Sequence, residues 1–76
     1  MSRLPVDSSM LASIGYSPDR SRLELEFRDG ALYCFFDVPE AYFQELMTAD
    51  SKGTYFNRNI RNRFPYQLLT AAGREN

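Results

Sequence analysis

The stretch Arg22-Leu23-Glu24-Leu25-Glu26-Phe27, followed by Arg28-Asp29-Gly30 and the apolar run Ala31 to Phe36, constrains this chain more than any other. Strict alternation puts Leu23, Leu25 and Phe27 on one face of an extended strand and Arg22, Glu24 and Glu26 on the other. Glycine takes positive φ without steric cost, so the Asp29-Gly30 step predicts a tight hairpin with Ala31 to Phe36 as its antiparallel return strand. That return strand is apolar on both sides, since Leu32, Cys34 and Phe36 alternate with Tyr33 and Phe35. Either both of its faces are covered, or one aromatic pair is exposed to a partner.

The flanks can be read around this hairpin. Met10 to Tyr16 is a preceding strand, broken by Gly15, and Ser17-Pro18-Asp19-Arg20-Ser21 has turn chemistry. Residues 1–5 are expected to be loose. Beyond the hairpin, Asp37-Val38-Pro39-Glu40 carries helix-start signals, with a proline suited to the first turn and acids near the positive end of the dipole. Tyr42, Phe43, Leu46 and Met47 then recur at helical spacing. Ser51 is a good cap for a second helix from near Lys52, in which Phe56 and Ile60 face the core and Arg58 and Arg61 form another stripe. Pro65 disfavours helical geometry at Phe64, so this helix is expected to end near Asn62 or Arg63. Leu68 and Leu69 dock a last short segment, and residues 70–76 are expected to fray. The pattern predicts a small single α+β domain over residues 6–69, a three-stranded antiparallel β-meander packed by two short α-helices.

Length and residue types narrow the function classes. A chain of 76 residues has room for one domain. With no histidine and a single cysteine, Cys34, placed in mid-strand, neither a Cys-His pair nor a zinc site can be assembled. Glu24 and Glu26 point off a strand face as solvated charges would, and no carboxylate spacing singles out an acid/base pair. The expectation is a non-catalytic binding module without a cofactor or metal. One cysteine excludes an internal disulfide, the amino terminus has no apolar leader, and no apolar run is long enough to span a bilayer. A soluble cytoplasmic protein without a membrane role is expected.

Charge is distributed unevenly. Residues 1–50 carry four basic against nine acidic side chains, a net of −5, whereas residues 51–76 carry five basic against one acidic, a net of +4. Between Ala49 and Tyr66, cations, amides and aromatic rings are concentrated as nowhere else in the chain. Cations that neutralise phosphate beside rings that stack bases suit single-stranded nucleic acid, RNA above all. The candidate binding residues are Ser51, Lys52, Gly53, Tyr55, Arg58, Arg61 and Arg63, joined by Tyr33 and Phe35 if those are exposed. Ser51-Lys52-Gly53 at a helix start suits one phosphate, but each piece also has a purely structural reading. Ser51 caps, Lys52 is solvated, and Tyr55 and Tyr66 pack more readily than they stack. Arg61 and Arg63 either favour the helix dipole or pair with Glu24, Glu26 or Asp37. Asn57, Asn59 and Asn62 cap and turn, or assist recognition. A second class stays open, a protein-interaction or homodimerisation module that uses a sheet edge without nucleic acid.

Several segments together resemble a known family. Val6-Asp7-Ser8-Ser9, Ile14-Gly15-Tyr16, Gly30 to Val38-Pro39, Ala49-Asp50-Ser51-Lys52-Gly53, Tyr55-Phe56-Asn57 and Ile60-Arg61-Asn62-Arg63-Phe64-Pro65-Tyr66 look like the KTSC domain, from about Val6 to Leu68. That family is named for its occurrence at the carboxy terminus of some lysyl-tRNA synthetases, and it also occurs as small stand-alone bacterial proteins. The resemblance implies a single domain and mildly favours RNA as partner. The family's central motif, tyrosine, any residue, tyrosine, falls on Tyr33-Cys34-Phe35, so the second hydroxyl is missing while the ring is kept.

Overall fold

A computed structural model describes residues 3–71 of the chain. The alternating segment forms β3 (Arg22–Phe27), turns through Gly30 at φ 98° and returns as β4 (Leu32–Phe35). Phe27 and Gly30 close the turn, with Phe27 N–H on Ala31 O at 2.8 Å and Gly30 N–H on Phe27 O at 3.0 Å. The Asp29 carboxylate adds a third bond by accepting from Ala31 N–H at 3.0 Å, which fixes its orientation. In front of this hairpin lie β1 (Leu4–Pro5) and β2 (Leu11–Ser17). After it come α1 (Glu40–Thr48), α2 (Lys52–Asn59) and β5 (Tyr66–Thr70).

The sheet therefore has five antiparallel strands in the order β1-β2-β3-β4-β5, not three. The two extra strands are the outer ones, and each hides its period. β1 is two residues long and contains a proline, which a sheet tolerates at its edge. Leu4 and Pro5 nonetheless pair with Ile14 and Ser13, so the ordered domain begins before residue 6. β5 breaks alternation at Leu68-Leu69, and the break coincides with a register shift in its pairing with β4. Of the expected tail, Thr70 lies in this strand, Ala71 follows it, and residues 72–76 lie outside the described residues.

Both helices cover one face of the sheet. The core is Leu11, Ile14, Leu23, Leu25, Phe35, Val38, Leu46, Phe56 and Ile60. Each such side chain contributes roughly 1.5–3 kcal/mol by leaving water. From α1 only Leu46 is fully buried, while Tyr42, Phe43 and Met47 pack against the core's margin. Phe43 stacks on Tyr16 at 5.0 Å, and Tyr42 meets Phe64 edge-on at 5.1 Å. α2 supplies Phe56 and Ile60 as its spacing predicts. It stops at Asn59, short of the expected Asn62 or Arg63, because Ile60 and Arg61 both donate to Phe56 O and Asn62 turns left-handed at φ 65°.

The other face is polar and closed on itself. Arg3 donates from Nε to Ser13 Oγ at 3.1 Å and from Nη1 to Glu24 Oε1 at 2.9 Å, and Ser13 donates to Glu26 Oε1 at 2.8 Å. Cys34 lies on this face opposite Glu24 and is buried. Burial and the Glu24 charge push its thiol above the ordinary range, with Arg22 opposing. It stays a thiol at neutral pH, which is the wrong state for a nucleophile.

Candidate nucleic-acid interface

Register decides which side chains meet at the β4–β5 end of the sheet. Tyr33 pairs with Leu25 on one side and Leu68 on the other, and Phe35 with Leu23 and Tyr66. All six therefore project to the helix face. Tyr33 lies 5.6 Å from Phe27 and 5.5 Å from Tyr66, and Phe35 lies 5.7 Å from Phe56 and 5.6 Å from Tyr66. Five rings thus form one continuous aromatic cluster. The two-faced strand is resolved by this arrangement, since its aromatic pair lies beneath α2 and beside β5 at the base of a groove.

The groove has a volume of about 410 Å³. That falls within the range of small-ligand sites, roughly 300–1,000 Å³. Phe27, Tyr33, Phe35, Phe56 and Tyr66 supply its rings, and Asn57, Arg61, Asn62 and Asp29 its polar groups. The turn that ends α2 brings amide and guanidinium to one side: Arg61 N–H donates to Phe56 O, and Arg61 Nη1 donates to Asn57 Oδ1 at 3.2 Å. The left-handed turn at Asn62 places a third polar side chain at the same rim.

The candidate residues divide into those that reach the groove and those that do not. Tyr33, Phe35 and Arg61 line it. Phe35, at 3% exposure, is packing at the floor and not the exposed stacking platform that the sequence leaves open. Tyr66, at 58% exposure, takes that position instead. Arg58 and Arg63 are exposed but do not line the groove. Ser51-Lys52-Gly53 is structural. Ser51 Oγ accepts from Thr54 N–H at 3.2 Å and Lys52 Nζ donates to Ala49 O at 3.2 Å. A Cβ on Gly53 would stand 3.2 Å from Met10 Cβ, so glycine is there to let α2 approach the start of β2. Tyr55 ties the helices together by donating to Glu45 Oε1 at 2.6 Å. Burial, reinforced by that bond, pushes its phenol up to about 12.

The expected ion pairs between α2's end and the sheet do not form. Glu24 is taken by Arg3, and Glu26 is bonded to Ser13 on the far face of the sheet. Among the described residues no carboxylate neutralises Arg58, Arg61 or Arg63. Nor do three His, Cys, Asp or Glu side chains gather as a metal site would need. No helix of the described residues is long and apolar enough to cross a membrane.

Asp29 and Leu68 are site residues that the sequence offers only as turn and docking residues, and Tyr66, which reads there as packing more than as a stacking ring, is exposed at the groove. The signal for Tyr66 was available in Pro65-Tyr66-Gln67-Leu68, an alternating start to an edge strand. Asp29 was absorbed by its turn role.

The protein-family model for the KTSC domain matches residues 7–64. An uncharacterised protein of Stutzerimonas stutzeri is 47% identical over 58 residues, covering 76% of this chain and 82% of that protein. A lysine–tRNA ligase of Nostoc sp. is 37% identical over 67 residues, which is 88% of this chain but 12% of the ligase. The crystal structure of a KTSC domain protein from Yersinia pestis superposes with a TM-score of 0.87 at 41% identity, covering 91% of this chain and 97% of that one. The match spans the aromatic strand, both helices and the start of the turn before β5, and on that ground the chain belongs to the KTSC domain family.

Proposed function

We propose that the protein is a non-catalytic module that binds single-stranded RNA, with the β4–β5–α2 groove holding an unstacked base and the arginines of α2 and the turn after it meeting phosphate. The observation that carries this is the juxtaposition, in one groove, of an aromatic cluster exposed at Tyr66 with the Arg61 guanidinium, which no carboxylate among the described residues neutralises. Cations paired on a protein's own surface are already satisfied, whereas these can exchange water and counterions for phosphate. Tyr33 and Tyr66 offer rings for stacking, and the rim amides offer both donors and acceptors. The presence of a homologous segment within lysine–tRNA ligases, enzymes whose substrate is an RNA, supports the same reading.

Lys52 is engaged with Ala49 O, which leaves Arg58, Arg61 and Arg63 as phosphate contacts. Three contacts predict weak binding whose affinity falls with salt at a log–log slope of about −2. Replacing Arg58 and Arg61 together by alanine should abolish binding to a fluorescent single-stranded RNA in anisotropy measurements, with the circular dichroism spectrum unchanged. Unaltered binding by that variant would show that the arginines are not the phosphate contacts.

A second reading rests on β5. It is an edge strand, exposed along its whole length, with Leu68 and Leu69 at 47% and 45% exposure. An unguarded edge can add a strand from another chain or a second copy. Light scattering across a concentration series distinguishes this, because a strict monomer at high concentration argues against self-pairing.

A further inference from the structure

We infer that the groove prefers guanine, and that Asp29 is the residue that sets the preference; this rests on the RNA-binding reading above. A carboxylate at the rim of a phosphate-binding site is unexpected on charge alone, since it repels the polyanion. It is nevertheless a built feature. Asp29 borders the same groove as Arg61, Asn57 and Asn62. Its Oδ1 accepts from Ala31 N–H at 3.0 Å, so the carboxylate is oriented by the β3–β4 turn and not free to swing away. Among the described residues no ion pair joins it to Arg61, so the two opposite charges border one groove unneutralised.

That arrangement fits a ligand with an anionic end and a donor-rich end. Phosphate meets Arg61, and the base edge meets the Asp29 carboxylate, a group with acceptors and no donor. A carboxylate has two oxygens and about four lone-pair positions, so the bond from Ala31 N–H leaves capacity for two further donors. Guanine is the one common base with two N–H groups side by side on its Watson–Crick edge, at N1 and the exocyclic N2. Adenine and cytosine present one amino group beside a ring acceptor, and uracil presents one N–H flanked by carbonyl oxygens. Their acceptors would face the carboxylate, an arrangement that costs affinity without any clash. Asn57 and Asn62 carry both donor and acceptor atoms and cannot discriminate in this way.

The test is fluorescence anisotropy with short oligouridine strands that carry one central guanosine, inosine, adenosine or cytidine, alongside oligouridine itself. Wild type should bind the guanosine strand about tenfold more tightly than the others, the size expected of one good bidentate contact. Inosine lacks the exocyclic amino group and should lose most of the gain. Asp29→Asn keeps an oxygen for Ala31 N–H, so the turn survives while a donor replaces an acceptor. This variant should lose the guanosine preference and bind oligouridine at least as tightly as wild type. Equal affinity of wild type for all strands would overturn the inference while leaving RNA binding standing. A guanosine preference that persists in Asp29→Asn would overturn the assignment to Asp29. Failure of every strand to bind would remove the RNA reading and this inference with it.

Discussion

The two faces of the sheet carry similar kinds of residue and use them in opposite ways. On the far face, Arg3, Ser13, Glu24 and Glu26 form a closed chain of hydrogen bonds in which the cation has its anion. On the helix face at the β4–β5 end, among the described residues, Arg61 reaches only an amide and Asp29 only a backbone N–H, and Tyr66 is more than half exposed. The first arrangement spends its polar groups on holding β1 to β2 and β3. The second leaves them free beside a groove. A charge becomes informative about function when its partner is missing, because a hydrated charge held beside an exposed ring stays available to a ligand.

This contrast is broken most directly at Tyr66. Tyr66→Ala should weaken RNA binding by about 1–3 kcal/mol, the worth of one base–aromatic stack, as read by anisotropy. Its stability should change little in urea denaturation, since the ring is largely exposed. Arg3→Ala should do the reverse. It removes two partly buried hydrogen bonds, to Ser13 and to Glu24, and leaves Glu24 without its cation, costing about 1 kcal/mol of stability with RNA affinity unchanged. If the two variants behaved alike in both assays, the division between a structural face and a binding face would fail.

How far the sequence carries this picture depends on period. β3 shows at once because alternation in Arg22–Phe27 runs unbroken, and the Asp29-Gly30 turn fixes β4 beside it. α1 and α2 show through their start signals and apolar spacing. β5 does not, because its register shift puts Leu68 and Leu69 in succession, and a period of two cannot be read across it. Missing β5 has a functional consequence, since Tyr66 and Leu68 are half of what turns Tyr33 and Phe35 from an ambiguous pair into a groove. The arginines are legible as a cluster, but only the fold shows that Glu24 and Glu26 are on the wrong face to neutralise them.

The smallest expected effect concerns the strap between the helices. Tyr55 has its phenol raised from 10.0 to about 12, so the folded state favours its protonated form. Stability from this source is complete below pH 10 and is lost as pH rises towards 12, because the unfolded chain releases that proton first. The stability advantage of wild type over Tyr55→Phe, measured by urea denaturation across this window, should shrink with rising pH. RNA binding at neutral pH should not distinguish the two, since Tyr55 does not line the groove.

The central claim, that the open end of the helix face is where RNA binds, is tested most directly by NMR titration of isotope-labelled protein with a short single-stranded RNA at two salt concentrations. Salt-sensitive shifts are expected on Tyr33, Asn57, Arg58, Arg61, Asn62 and Tyr66, with Arg3, Ser13 and Glu24 unmoved. A spectrum that does not respond at low salt and high RNA, or shifts gathered on the Arg3–Glu24 face, would contradict it.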